Sequence, residues 1–176
     1  MHHSPRLITC LVLLAAAALL VWAAPASATY VSGKQTFVGG GKKSTYNMAG
    51  GLVGSWAITS FKELKNKGVV FKAKGTESFN GCMDLGHDGS CTGDPSGTMD
   101  FTFTYWAKIS GKGKVELGTC AHPVSAGTGG FASATGFLMF VDTPIKKKPF
   151  IKTHYEGEIN VAGVLSARAA SPPRHC

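Results

Sequence analysis

The sequence predicts an all-β fold, with a single small antiparallel β-barrel formed by roughly six to eight strands. Three observations support this prediction. The 176 residues include 23 glycines, which divide the chain into short segments. Apolar and polar residues alternate in several segments, and helical periodicity is nearly absent after Ala28. Alternation with a period of two buries one strand face, and a closed barrel leaves no sheet edge exposed.

Residues 1–28 predict a signal peptide. Arg6 precedes an apolar run over residues 11–24, and Ala26 and Ala28 supply the small side chains that a signal peptidase requires. The run is shorter than the ~20 apolar residues that a membrane-spanning helix needs. We therefore expect cleavage after Ala28 and a secreted protein, either extracellular or periplasmic.

The rest of the chain is the size of one domain. Residues 29–45 include Gly39-Gly-Gly-Lys-Lys43 and predict a flexible leader. Residues 46–162 predict the barrel domain. Residues 163–176, with two adjacent prolines, predict an irregular tail.

The clearest strand is Thr98–Ile109, in which polar and apolar residues alternate without interruption. Phe101 and Phe103 are on its apolar face and Thr102 is on the opposite face, so we expect the two rings to be buried. We expect them to pack against the glycine-rich segment Gly127–Gly136, whose missing side chains leave room for large rings. Further strands are predicted over residues 54–61, 68–79, 113–118, 135–142 and 150–161, and another near Tyr46–Leu52.

Four cysteines follow the signal peptide: Cys82, Cys91, Cys120 and Cys176. An even number of cysteines in an exported chain predicts disulfides, and three pairings are possible. The short Gly- and Asp-rich segment between Cys82 and Cys91 favours a bridge between these two residues. That bridge leaves Cys120 to pair with Cys176.

The chain is basic, with 18 Lys and Arg against 10 Asp and Glu and a formal net charge of +8. This charge favours contact with anionic surfaces such as those of a cell envelope. The lysines are scattered over predicted turns, and neither an aromatic platform nor a recognition-helix pattern accompanies them. We therefore expect no nucleic-acid partner.

The segment Gly127-Thr-Gly-Gly-Phe-Ala-Ser-Ala-Thr-Gly136 is followed by an apolar-aromatic strand, Phe137–Val141, and then by His154-Tyr-Glu-Gly157. This order resembles the glycine-rich region of the allene oxide cyclase and dirigent-like β-barrels, over about Gly97–Val161. The resemblance implies an eight-stranded antiparallel barrel, often a homo-oligomer, with a cavity for small apolar molecules. If the protein is an enzyme, it implies an isomerase or cyclase.

The candidate catalytic residues are His154, Glu156 and Glu158, which share one strand face because they recur at a spacing of two. If that face lines the cavity, His154 and a glutamate can act as an acid–base pair. If it faces outward, the three are solvated surface residues.

The candidate ligand-binding residues are Tyr105, Tyr155, Phe101 and Phe103, all on predicted apolar faces. The two hydroxyls can bind a ligand inside the cavity, or the rings can simply fill the core. The acidic loop between Cys82 and Cys91 matches no calcium or zinc pattern, so we expect no metal and no cofactor.

Three functions remain open from the sequence. The leading hypothesis is a secreted barrel that binds a small, mostly apolar molecule. The alternatives are a cyclase or isomerase that guides a reactive intermediate, and a structural or adhesive cell-envelope protein. Ionisable residues facing inward in a roomy cavity favour the enzyme. A roomy but purely apolar cavity favours the binding protein, and a solidly packed barrel favours the structural protein.

Overall fold

A computed structural model describes residues 28–40, 43–111, 113–146 and 151–164. The expected signal peptide therefore lies outside the described residues except for residue 28, and the expected irregular tail lies outside them except for residues 163 and 164. Cys176 also lies outside them. Within the described ranges, no helix is long and apolar enough to cross a membrane.

Eight antiparallel strands form a closed barrel in sequence order, and the last strand pairs with the first. This confirms the predicted fold class. A short 3-10 helix, η1, spans Gly129–Phe131. The strands are β1 (Thr29–Gly39), β2 (Thr45–Gly50), β3 (Leu52–Lys67), β4 (Val70–Met83), β5 (Ser96–Ile109), β6 (Val115–Gly127), β7 (Thr135–Pro144) and β8 (Ile151–Asn160).

Strand β1 corrects the predicted flexible leader over residues 29–45. It pairs with β8 from Thr29 opposite Ile159 to Gln35 opposite Thr153, and so closes the barrel. Val31 is its only large apolar side chain in the core. The alternation signal was therefore weak, and the glycines and lysines that follow the strand dominated the sequence pattern.

The two ends of the barrel differ. Strands β1, β3, β5 and β7 run toward the end that we call the open end, and the even-numbered strands run back to the closed end. At the closed end, η1 packs against the beginning of β5. The buried ring of Phe131 lies 6.2 Å, centroid to centroid, from that of Phe79.

Strand β5 shows the predicted alternation. Phe101 and Phe103 are buried, while Thr102 between them is exposed. The ring of Phe103 lies over Gly75 of β4, where an added Cβ would approach it to 2.6 Å. Gly75, and not the expected Gly127–Gly136 segment, thus leaves room for this ring.

The predicted disulfide between Cys82 and Cys91 is present, with a Cα–Cα distance of 5.5 Å. It closes the loop after β4 at the closed end. Inside this loop the buried carboxylate of Asp84 accepts hydrogen bonds from the backbone N–H groups of Asp88 and Gly89. A carboxylate of the acidic loop therefore provides the hydrogen-bond acceptor for two backbone N–H groups of the same loop.

Candidate functional site

A cavity of about 250 Å³ opens at the open end of the barrel. Aromatic side chains form much of its wall, and ionisable side chains from β4, β5, β6 and β7 face into it. A cleft of about 400 Å³ adjoins it between β1 and β8 and adds Lys34 and Lys152 at the entrance. The cavity is lined by Gln35, Tyr46, Ile58, Phe61, Phe71, Glu77, Phe103, Tyr105, Cys120, His122, Phe140, Asp142 and Thr153.

Glu77 and His122 form a buried pair on the cavity wall. The Nε2 of His122 lies 2.6 Å from Oε2 of Glu77, and the two residues are 1% and 7% exposed, respectively. This contact has the distance of an ion pair but not the angle of a regular hydrogen bond. Glu77 Oε2 therefore has no aligned donor among the described atoms.

The backbone carbonyl of Cys120 fixes the orientation of the imidazole. His122 Nδ1 lies 3.2 Å from this oxygen. Because a carbonyl oxygen can only accept, Nδ1 carries hydrogen in this contact. Nε2 then faces the carboxylate with a single proton between them, held either as an imidazolium beside a carboxylate or as a neutral imidazole beside a carboxylic acid.

Strand alternation places the two residues opposite each other. On β4, Glu77 follows Gly75 on the inward face and precedes Phe79. On β6, His122 follows Cys120 on the inward face. Rings surround the imidazole: its centroid lies 4.2 Å from Phe140, 5.5 Å from Trp56 and 6.2 Å from Phe103. These rings limit access of water and so strengthen the electrostatic interaction of the pair.

A second polar group lies nearer the entrance. Tyr105 donates a hydrogen bond to Asp142 Oδ2 at 3.0 Å, and Thr153 donates to Oδ1 of the same carboxylate at 2.6 Å. Burial raises the pKa of Tyr105 well above its ordinary value, and the Asp142 charge raises it further. Tyr105 therefore remains a protonated hydroxyl. Gly118 leaves space for it, since an added Cβ there would clash with the phenolic oxygen.

Cys120 differs from the prediction that it forms a disulfide. It is a free, buried thiol on the cavity wall, and its expected partner Cys176 lies outside the described residues. Burial raises the pKa of the Cys120 thiol, and the charges of Glu77 and Asp142 raise it further. Because only a thiolate is strongly nucleophilic, this thiol is not activated for attack.

The structure places the four candidate ligand-binding residues at different depths. Tyr105 and Phe103 line the cavity. Phe101 is fully buried beneath it, with its ring 4.6 Å from that of Trp56. Tyr155 is also fully buried and its hydroxyl accepts a hydrogen bond from the Leu52 backbone N–H at 2.8 Å, so it does not line the cavity.

The candidate catalytic residues His154, Glu156 and Glu158 are exposed on the outer face of β8. Glu156 accepts a hydrogen bond from the Tyr30 hydroxyl on β1. Their strand face therefore does not line the cavity, and they do not form an acid–base pair inside it. Three of the ionisable residues that do line the cavity, Glu77, His122 and Asp142, were not among the candidate site residues proposed from the sequence.

The described residues hold no group of three or more His, Cys, Asp or Glu side chains arranged to bind a metal ion. The polar side chains that line the cavity carry carboxylates, an imidazole, hydroxyls, an amide and a thiol.

The chain was also compared with known proteins. No protein-family model matches the sequence, and neither a curated protein nor a solved structure matches the chain.

Proposed function

We propose that the barrel binds a small, mostly apolar molecule in the cavity at its open end, with a polar group of that molecule placed against Glu77 and His122. One observation carries the proposal. The barrel is not filled at this end, and a buried ionisable pair lies in the wall of the space that remains.

The cavity wall supports a ligand with an apolar body. Phe61, Phe71, Phe103 and Phe140 supply aromatic surface around it. Ligand sites in proteins are commonly apolar pockets with a few placed polar groups, and this volume is slightly below their usual range of about 300–1,000 Å³. We therefore expect a compact ligand, not an extended chain.

The polar atoms support a ligand with at least one hydrogen-bond donor. Glu77 Oε2 has no aligned donor, although it is buried. Its contact with His122 Nε2, at 2.6 Å, leaves lone pairs on the carboxylate that a ligand hydroxyl or N–H group can use. Asp142, which already accepts bonds from Tyr105 and Thr153, lies between this pair and the entrance.

Native mass spectrometry of the protein purified from its own host tests the proposal. We expect a co-purified small molecule on the wild-type chain. The variant Ile58→Trp places an indole in the cavity and should lose that mass. Thr102→Trp adds the same side chain on the exposed face of β5 and should keep it. If the mass persists in Ile58→Trp, the ligand occupies another site and the proposal is wrong.

A second candidate function is isomerisation or cyclisation of the bound molecule, and the shared proton of Glu77 and His122 favours it. Such a pair can take a proton from one ligand carbon and return a proton to another, with no net oxidation or reduction. In D₂O this chemistry would place deuterium on carbon in the released ligand. Glu77→Gln should then abolish the labelling while the ligand still binds. A ligand without deuterium at carbon would indicate binding alone.

We also propose that the protein is exported, as residues 1–28 suggest. A disulfide between Cys82 and Cys91 is compatible with an oxidising compartment. Sequencing the N-terminus of protein recovered outside the cytoplasm should identify Thr29 as the first residue. Recovery of the chain beginning at Met1 would contradict the proposal.

A further inference from the structure

Lysines are concentrated at one end of the barrel. The open half comprises the later parts of the odd-numbered strands, the earlier parts of the even-numbered strands and the turns between them. Every lysine whose side chain the structure describes lies in this half. Exposed examples are Lys62 and Lys65 on β3, Lys72 and Lys74 on β4, and Lys114 and Lys146 near the turns. The closed half carries exposed acids, among them Asp88, Asp100, Glu156 and Glu158. The exposed acids of the open half among the described residues are Glu63 and Glu116, and Glu116 pairs with Lys108 at 2.8 Å, so the lysines remain in excess there.

Exposed apolar side chains are concentrated at the same end. Among the described residues, all but one of the large hydrophobic side chains that are strongly exposed lie in the open half, and Phe137 on β7 is the exception. Val38, Leu64 and Val69 are each at least half exposed, at 59%, 50% and 56%. They occupy the end of β1, the end of β3 and the turn before β4.

This combination distinguishes between classes of partner. Lysines alone would bind any polyanion, but the exposed apolar side chains would gain nothing from a polysaccharide or a nucleic acid backbone. An anionic bilayer offers phosphate groups for the ammonium groups and, just below them, acyl chains for the apolar tips. A second copy docking through its acidic closed end would match the charge but would offer almost no exposed apolar surface in return.

We propose that the open end of the barrel docks on the surface of an anionic lipid bilayer, with Val38, Leu64 and Val69 entering the interface and the surrounding lysines contacting headgroup phosphates. This inference goes beyond ligand binding in the cavity and does not depend on it. It would also place the cavity entrance against the bilayer.

Sedimentation with vesicles tests the docking. The full chain should bind mixed phosphatidylglycerol–phosphatidylcholine vesicles and bind phosphatidylcholine vesicles far more weakly. Added salt should weaken binding, because exposed charges are screened. Equal binding to both vesicles, or none to the anionic ones, would overturn the proposal.

Two charge variants locate the contact. Lys62→Gln, Lys65→Gln and Lys72→Gln together should weaken binding about a hundredfold, since each lysine near an anionic surface contributes roughly a factor of five. The matched control Asp100→Asn, Glu156→Gln and Glu158→Gln changes the same number of charges at the closed half and should leave the affinity within a few-fold. All variants share the same N-terminal residues, so differences between them arise in the barrel. If the lysine variant bound like the wild type, the open end would not be the docking face.

Tryptophans added one at a time test the apolar part, and each is read as the difference from the wild-type chain, which already contains Trp22, Trp56 and Trp106. Leu64→Trp at the open end should shift its emission to shorter wavelength on anionic vesicles and be quenched by brominated acyl chains. Phe137→Trp, exposed at the closed half, should show neither change. Equal responses at both positions would refute docking through the open end. If the protein associated with itself in the absence of vesicles and the lysine variant abolished this association, the face would bind a second copy and the proposal would be wrong. Tight binding to duplex DNA without binding to vesicles would also overturn it.

Discussion

The imidazole of His122 and the carboxylate of Glu77 meet inside the barrel at 2.6 Å, although neither strand β4 nor strand β6 pairs with the other. The pair thus connects two strands on opposite sides of β5, across the cavity wall. Its burial makes it sensitive to the loss of either partner.

Removing one member of the pair should destabilise the fold more than removing both. His122→Leu leaves a buried carboxylate without its partner and should cost about 3–5 kcal/mol, whereas Glu77→Leu together with His122→Leu leaves no buried charge and should cost less. Urea unfolding of the wild type, both single variants and the double variant measures this. Strictly additive losses would mean that the two side chains do not interact.

Truncating a buried ring of β5 should cost far more than truncating its exposed neighbour. Phe103 is 5% exposed, so Phe103→Ala should lower the free energy of unfolding by about 3–5 kcal/mol. Thr102→Ala, on the outer face, should cost less than about 1 kcal/mol. Chemical denaturation compares the two. Equal losses would show that both faces of β5 are buried.

Removing the Cys82–Cys91 bridge should destabilise the fold, because the unfolded chain is then less constrained and has more conformational entropy. The sequence separation of 9 residues corresponds to about 2–3 kcal/mol. Cys82→Ala with Cys91→Ala should therefore melt several degrees below the wild type. The wild type under a reducing agent should melt like the variant, whereas a reducing agent should not change the variant. Peptide mapping that found either thiol free would contradict the bridge.

The fold should lose stability in alkali through its buried tyrosines. Burial raises the pKa of Tyr155 to about 12, whereas the unfolded chain releases the same proton near about pH 10. Between these two pH values the unfolded state binds fewer protons than the folded state. The contribution of Tyr155 to the free energy of unfolding is therefore complete below about pH 10 and is lost as the pH rises toward 12. Tyr155→Phe should be less stable at neutral pH, since the Leu52 N–H loses its partner, but should lose less stability between pH 10 and 12. If the free energy of unfolding fell as steeply with pH in Tyr155→Phe as in the wild type, Tyr155 would not be a source of the loss of stability in alkali.

Strand β5 shows how far the sequence predicts this fold. Its large apolar side chains recur every second residue, and Met99, Phe101 and Phe103 are buried as that period requires. Strand β1 has the same period, but its inward positions include Gly33 and Gln35, whose small or polar side chains give no hydrophobic signal. The sequence therefore predicts the strands with large side chains better than those with small ones.

The candidate site was only partly predictable for a related reason. Tyr105 is on an obviously apolar face, and it lines the cavity as expected. Glu77 occupies an inward position of β4 between Gly75 and Phe79. A charged residue at an inward position of a strand could therefore have indicated a site residue from the sequence. His122 is in phase with Cys120 in the same way. Their contact depends on two strands that are not neighbours, and local alternation carries no information about such a pair.

The pairing of β1 with β8 has a consequence for how the chain folds. The Tyr30 hydroxyl contacts Glu156, 126 residues later, so the barrel cannot close until nearly the whole described chain is available. Contacts between such distant segments slow folding, because a long loop must be ordered before they form. Until then β1 and the growing end of the sheet both expose unpaired backbone groups, which can pair with other chains. Docking of β8 removes both edges in one step, and a chain truncated before Ile151 should therefore aggregate during refolding.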